Sequence, residues 1–351
     1  MIYSSEKIHL RNPAEVDEVK KFLKKFQLDF EENIDYTVAI REQGQIVASC
    51  SKSKDILKCF AIDPSMQGTG ITNILLKSIQ DKLFEEGIFH SFIFTKPVYE
   101  TIFTSLGYKV VEKVDKVVLL EGGMGSIDNE LKKIASEYSI DSSKPKTALV
   151  MNCNPFTLGH RYLIEQASKN SQEVLLFIVE ENKSLFPFKI RYNLVKNGIS
   201  DLKNVKVIPG GQYIISSATF PAYFLRESGE FLEAYTNLDA KIFANYFCKK
   251  FNITKRIVGD EPYCEVTDAY NKALLKTLEK SGVSLETIKR KEGEKKTGFI
   301  SASKVRESLK TNKGVNTYEL SDLIPKVTIE FLLSREGKEI VEKIISSHTR
   351  H

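Results

Sequence analysis

The spacing of apolar and polar positions divides the chain into two patterns. From residue 13 to 28 apolar side chains recur at helical spacing, with Val16, Val19, Phe22, Leu23 and Phe26 on one face. The period then shortens, and 36–40, 46–51 and 57–62 read as strands. A second amphipathic helix carries Ile74, Leu75, Ile79 and Leu83. Beyond it, 89–95 reads as a strand and 97–106 as a helix ended by Gly107 and Tyr108; 109–114 and 116–120 are two further short strands. This is the pattern of an α+β unit. Gly122, Gly123 and Gly125 then break the period, and a helix over 127–138 presents Ile127, Leu131, Ile134 and Tyr138. Asp141-Ser142-Ser143-Lys144-Pro145 breaks it again, so a domain boundary is expected between 121 and 145.

From Lys146 the pattern is that of a doubly wound, Rossmann-like α/β domain. Ala148-Leu149-Val150-Met151 has strand length, a loop covers 152–156, and a helical pattern starts near Leu158 with Tyr162, Leu163, Gln166 and Ala167. Strand, tight loop and helix form the first half of a βαβ unit. The near-continuous apolar run 173–180 suggests a parallel strand covered on both faces. Arg191 is expected to open a helix with Leu194, Val195 and Ile199; a strand follows over 205–209, a helix over 238–251, and a strand end at 256–262.

Composition narrows the class. A chain of 351 residues has room for two or three domains, and 42% hydrophobic with 28% charged residues is the balance of a soluble globular protein. A net charge of +5 is too mild to argue for nucleic acid, though it suits a polyanionic substrate. The five cysteines form no C-x-x-C pair, so neither zinc nor a disulfide framework is indicated. The start lacks the pattern of a signal peptide and no apolar run approaches membrane-spanning length, so the cytoplasm is the expected compartment.

Candidate chemistry gathers at several turns. Thr157 and His160 share a face across the first helical turn, and Gly159 between them lets an anion approach the helix amides. Taken alone, the same residues are equally served by a helix cap and a surface histidine. Gly259 and Asp260 sit at a later strand tip, where ligands of doubly wound sheets bind. Near the end, Ile300-Ser301-Ala302-Ser303-Lys304-Val305-Arg306 opens a helix: either serine can cap it, and Arg306 lies three residues beyond Ser303 on the same face. Lys183, Lys189 and Arg191 are candidates for phosphate or an acid substrate, and as easily a solvated basic helix start. The aromatic, hydroxyl-rich run 213–224 suits an acyl pocket or plain packing. In the first half, Gln67-Gly68-Thr69-Gly70 turns a strand into a helix with exposed backbone N–H groups, suited to a pyrophosphate.

These motifs resemble two families in tandem. Gln67–Ile71 is similar to the pyrophosphate loop of GNAT-type acetyltransferases, and Ile102–Tyr108 to that family's F-Y-E-K-L-G-F segment. Two positions depart from it. Thr72 stands where Gly or Ala is usual, and Phe103 where many members carry a tyrosine acid; a phenyl ring cannot donate a proton. The T-x-G-H turn, the Gly-Asp strand end and I-S-x-S-x-x-R occur in the order of the T/H-x-G-H nucleotidyltransferase superfamily. The pairing, with N-P-F-T-x-G-H-R-Y-L-I at 154–164 and Y-I-I-S-x-A-T-F-P at 213–221, resembles the citrate lyase ligase family.

That resemblance implies a GNAT-like domain over 1–121, a helical linker over 122–145 and a nucleotidyltransferase-like domain over 146–351. It implies that acetate and ATP give acetyl-adenylate and pyrophosphate. The acetyl group then passes to the CoA-derived prosthetic thiol of the acyl-carrier subunit of citrate lyase, with no nucleic acid or membrane partner. Thr157, His160, Ser303 and Arg306 would be catalytic. Asn152, Pro155, Phe156, Gly159, Gly259, Asp260, Ile300 and Ser301 would bind ATP, with Mg²⁺ on its triphosphate and no metal site of the protein's own. Gln67, Gly68, Thr69 and Gly70 would hold the prosthetic arm. The other readings open are an adenylyltransferase making a nicotinamide mononucleotide- or phosphopantetheine-type cofactor, a protein acetyltransferase with an ATP-sensing domain, and a non-catalytic regulator.

Overall fold

A computed structural model describes residues 3–66, 68–180, 184–215, 230–260, 265–293 and 299–347, without the side chains of 230–232 and 265–270. Gln67, Lys183 and most of the 213–224 run therefore lie outside the described residues or at their edge. The described residues form two compact units. The first runs to Asn129, and the second begins at Glu130 and holds the rest apart from 230–234, which group with the first.

The first unit is a mixed seven-stranded sheet with helices on both faces. Its elements are β1 (Glu6–Lys7), α1 (Pro13–Lys24), β2 (Tyr36–Glu42), β3 (Gln45–Ser53), β4 (Ile56–Ile62), α2 (Ile71–Glu85), β5 (His90–Thr95), α3 (Glu100–Ser105), β6 (Lys109–Lys113) and β7 (Val118–Gly123). The strand order is β1-β2-β3-β4-β5-β7-β6. Every pair is antiparallel except β4–β5, whose pairing is confined to Ile56↔Phe92 and Leu57↔Ile93. Strand alternation sets the two cores. Val38 and Ile40 pack with Leu75, Ile79 and Leu83 of α2, while Ala39 between them packs with Val19, Phe22 and Leu23 of α1. Asn12 caps α1 through the Ala14 N–H.

The strand expected over 116–120 runs on through two of the glycines read as a breaker. A Cβ on Gly122 would stand 2.8 Å from the Tyr108 ring, and one on Gly123 2.2 Å from the Phe89 carbonyl oxygen, so close packing and not a chain break accounts for them. The helix α4 (Ile127–Glu137) follows, and the division between the units falls inside it.

The second unit contains β8 (Lys146–Met151), α5 (Leu158–Lys169), β9 (Val174–Ile178), α6 (Phe188–Gly198) and β10 (Val205–Pro209). Next come α7 (Glu230–Ile242), a π-helical turn (Phe243–Cys248), α8 (Lys249–Phe251), β11 (Ile253–Gly259), α9 (Glu265–Lys280) and β12 (Ser284–Ile288). The chain closes with α10 (Ala302–Thr311), α11 (Thr317–Leu320), α12 (Lys326–Leu333) and α13 (Arg335–Ser346). The five strands are all parallel in the order β10-β9-β8-β11-β12. The chain winds outward from β8 through β9 to β10, then crosses back to β11 on the other side of β8. The order reverses between β8 and β11, so the crevice beyond their carboxyl ends is the ligand position of a doubly wound sheet.

Both faces of this sheet are covered, as the apolar run at 173–180 requires. Leu176 and Ile178 of β9 join Ile164 and Ala167 of α5 and Leu194 and Val195 of α6. Phe177, pointing the other way, meets Phe243 and Phe247 at 6.2 and 5.6 Å between ring centroids. The helix expected to start at Arg191 starts at Phe188, which places Arg191 inside its first turn.

Candidate active site

The loop after β8 is held from several directions. The Asn154 side chain is buried and its Oδ1 accepts the Phe186 N–H at 3.1 Å. Arg306 of α10 donates to the Asn154 carbonyl, Thr328 of α12 donates to the Phe156 carbonyl at 3.1 Å, and the Leu158 N–H reaches the Leu323 carbonyl at 2.9 Å. Arg191 is fully buried. Its Nε donates to the Phe186 carbonyl at 2.9 Å, and Nη1 to the carbonyls of Asn152 and Val179 at 2.8 and 2.7 Å. One guanidinium thereby satisfies acceptors at the ends of both β8 and β9, where unpaired carbonyls would be costly.

This loop delivers Thr157 as the N-cap of α5, in a capping box of unusual composition. Thr157 Oγ1 accepts the His160 N–H at 3.2 Å, and His160 Nδ1 accepts the Thr157 N–H at 3.1 Å. An Nδ1 that accepts leaves the ring proton on Nε2, so the tautomer is set by the backbone. Burial, and then the positive charge of Arg290, push the imidazole down to about 4. At neutral pH His160 is therefore an uncharged ring with an Nε2–H to donate. Phe156 stacks on it at 6.3 Å with the planes 14° apart. In the first turn of α5 the Leu158 and His160 amides are already used, and Arg161 N–H bonds back to Thr157. Among the described residues the Gly159 N–H has no acceptor.

The second motif meets the first here. Ser301 caps α10 by accepting the Lys304 N–H at 3.2 Å, and Ser303 is exposed, its Oγ accepting from Arg306 Nη2 at 3.3 Å. The Ile300 carbonyl lies 3.1 Å from where a Cβ of Gly159 would stand. The absence of a side chain at 159 thus admits the chain's own backbone, a reason that spacing alone does not reveal. Gly259 packs on Leu163, one turn further along α5, and the Asp260 N–H donates to the Ile288 carbonyl at 2.9 Å. Thr157, Gly159, His160, Gly259, Ile300 and Ser301 therefore lie together around the β8/β11 crevice.

Other expected site residues have different tasks. Pro155 and Phe156 are buried and shape the loop. Arg191 is spent on carbonyls rather than exposed to a substrate, and Arg306, also buried, turns one edge of its guanidinium onto the Asn154 carbonyl. Lys189 is exposed on α6, and exposed Asn152 bonds Ser184 at 3.2 Å. A residue that spacing did not reveal is Arg290, whose Nε donates to the Asp260 carbonyl at 2.7 Å. The available signal was the basic run Lys289-Arg290-Lys291 directly after a strand, but Ser284-Leu285-Glu286-Thr287-Ile288 is too polar an edge strand to stand out.

In the first unit, Gly68 and Gly70 have φ of +78° and +81°, with nothing within 4 Å of either ideal Cβ. Conformation, not crowding, requires glycine there. Gly70 is the N-cap of α2 without a side-chain cap, and Thr69 Oγ1 donates to the Met66 carbonyl at 2.6 Å. Phe103 is buried against Phe60, with centroids 5.2 Å apart. Among the described residues no group of three or more His, Cys, Asp or Glu is placed to hold a metal ion, and no helix is long and apolar enough to cross a membrane.

Comparison with known proteins matches these units to one family. Residues 146–332 match the model of the citrate lyase ligase C-terminal domain. The citrate (pro-3S)-lyase ligase of Klebsiella pneumoniae is 33% identical over 333 residues, covering 94% of this chain and 96% of that protein. The Escherichia coli (strain K12) enzyme of the same name is 34% identical over 90% of this chain and 89% of its own length, and that of Haemophilus influenzae 35% over 90% and 94%. Among solved structures, an acyl-CoA N-acyltransferase from Pseudomonas aeruginosa covers 35% of this chain and 99% of its own, at 9% identity and a TM-score of 0.29. With both the model match over the crevice-bearing unit and relatives aligned along nearly their whole length, the chain belongs to the citrate lyase ligase family.

Proposed function

We propose that this chain is an ATP-dependent acid–thiol ligase that acetylates the acyl-carrier thiol of citrate lyase and so activates that enzyme. The observation that carries this reading is the reciprocal Thr157–His160 cap beside the start of α10, at the crevice of a doubly wound sheet in a member of that family. The relatives are ligases, which does not favour a cofactor adenylyltransferase or a protein acetyltransferase.

Acetate is the nucleophile. A carboxylate oxygen attacks the α-phosphorus of ATP, and the bond from that phosphorus to the bridging oxygen of the β-phosphate breaks. Pyrophosphate leaves with the electron pair and acetyl-AMP remains. Negative charge grows on the departing oxygen. The His160 Nε2–H and the Gly159 N–H are donors fixed before the reaction begins, the kind of group worth about 10²–10³ in rate. Ser301, Ser303 and the start of α10 suit the β- and γ-phosphates. Arg306 and Arg191 hold the loop that presents Thr157. Mg²⁺ enters as part of the ATP substrate, held mainly by phosphate oxygens and water. In the second step the thiol of a CoA-derived prosthetic arm attacks the acetyl carbon. The carbon–oxygen bond to AMP breaks, a thioester forms, AMP leaves and the thiol proton passes to water.

The 1–121 region is assigned to the arm. The open turn at Gly68 and Gly70 leads into a 15-residue helix, a suitable cradle for a CoA-like pyrophosphate. Phe103 offers no phenol for acetyl-CoA chemistry. Residues 122–145 are the linker and 146–351 the activating domain, in a cytoplasmic enzyme. The test is incubation with deacetylated citrate lyase, ATP and labelled acetate. A hydroxylamine-labile label on the carrier subunit, with equimolar AMP and pyrophosphate, is expected. Labelling from acetyl-CoA without ATP would assign the chain to the acetyltransferases instead.

A further inference from the structure

Arg306, the cation of the I-S-x-S-x-x-R motif, is turned inward onto the Asn154 carbonyl. A different guanidinium belongs to the crevice. Arg290 lies two residues past β12, and its Nε bond to the Asp260 carbonyl, at 2.7 Å, fixes the plane of its fork. The Asp260 N–H bonds Ile288 at 2.9 Å, so the carboxyl ends of β11 and β12 are tied to each other twice. The next residue, Lys291, accepts the Ile300 N–H at 3.1 Å, and the Ile300 carbonyl rests against Gly159. On the β11 side, Gly259 touches Leu163 of the same helix. Arg290 is thus carried on the short segment that joins both walls of the crevice around the first turn of α5. Its charge is felt at His160, where it disfavours an imidazolium. A cation carried on this segment, close to the donors at the start of α5, suits an anion bound in the crevice.

We propose that Arg290 binds the triphosphate of ATP at this crevice. The inference rests on the ATP-using reading of the second unit and adds a residue that none of the sequence motifs contains. A triphosphate is favoured over the acetate carboxylate because the surrounding donors, from the starts of α5 and α10, are arrayed for several phosphate oxygens. The Nε tether holds the fork in orientation, so little freedom is lost when phosphate oxygens are gripped.

The test uses the full chain and three variants: Arg290→Gln, Arg290→Lys, and Lys289→Gln as an exposed neighbouring control. Calorimetric binding of ATP and of adenosine is compared, together with the KM for acetate in ATP–pyrophosphate exchange. Arg290→Gln should weaken ATP about 10- to 100-fold, the value of a charge-assisted bond, and lysine should restore only part. Adenosine affinity, the acetate KM and the Lys289→Gln variant should each stay within about threefold, less than half a decade and well short of that bond's worth. Equal losses for ATP and adenosine would overturn the proposal, leaving Arg290 as a tie for Asp260. A raised acetate KM with unchanged ATP affinity would overturn it too. A wild-type chain that binds ATP through Arg290 but shows no acetate-dependent exchange would sink the ligase reading and leave this assignment standing.

Discussion

His160 has two tasks on its two ring nitrogens, and two substitutions separate them. Asparagine can place an acceptor near the Nδ1 position, keeping the bond from the Thr157 N–H that is 3.1 Å long in the structure, but it cannot reach the Nε2 position. Glutamine can reach the Nε2 position with a donor and gives up the bond to Thr157. The cap bond from the His160 N–H to Thr157 Oγ1 survives in both. Losing one half of the capping box costs about 1 kcal/mol, which for a unit of roughly 200 residues lowers Tm by about 2–4 °C. Losing the transition-state donor costs about 10²–10³ in kcat. His160→Asn should therefore fold with a near wild-type Tm and be 10²–10³-fold slower, on the same estimate, in acetate-dependent exchange. His160→Gln should melt earlier and keep more turnover. A pH series checks the charge state. With the folded imidazole pushed down to about 4 from 6.5, the unfolded chain binds a proton across that window that the folded chain refuses. The contribution of His160 to stability is complete above pH 6.5 and is lost as pH falls toward 4. The wild-type Tm should fall more steeply there than that of His160→Asn. Bound ATP, by adding negative charge, should reduce the difference. Near wild-type turnover in His160→Asn, with the thermal shifts as described, would refute the assignment of Nε2–H to the reacting phosphate.

Three further outcomes follow from the buried arginines and the first-unit turn. Arg191→Met removes the donor to three carbonyls and should lower stability by about 3 kcal/mol or more, read as a large Tm loss; a Tm within a few degrees of wild type would contradict the clasp. Arg306→Lys keeps the charge but cannot serve Asn154 and Ser303 together, so both Tm and exchange should fall. Unchanged kinetics would show that the Asn154 loop needs no such brace. Replacing Gly70 by valine forces a β-branched residue to φ +81°, which should cost about 1–2 kcal/mol and impair transfer to the carrier while exchange persists. Equal loss of both half-reactions would remove the assignment of this turn to the arm.

The strand, turn and helix around Thr157 were legible because each piece has a local cause: apolar run, capping hydroxyl, helical period. The β10 strand at 205–209 was read to the residue for the same reason. What was not legible depends on groups far apart in sequence. Nothing near Arg191 or Arg306 reveals which way a guanidinium points, and both turn out to satisfy carbonyls of the β8 loop. Thr328 of α12 and Leu323 in the turn before that helix brace that loop from more than 150 residues away, a pairing that no local pattern shows. The helix read over 238–251 begins at Glu230 and contains a π turn, a backbone change with no reliable residue signature. Gly159 was identified as functional, but its immediate physical reason, the Ile300 carbonyl, is a tertiary contact.

The central claim is that this chain activates acetate with ATP before any carrier is involved. Its most direct test is exchange of labelled pyrophosphate into ATP by the purified chain alone, with and without acetate. Label should enter ATP only when acetate is present, and His160→Asn should abolish or severely slow it. Exchange that is absent with acetate, or that proceeds equally without it, would contradict the claim.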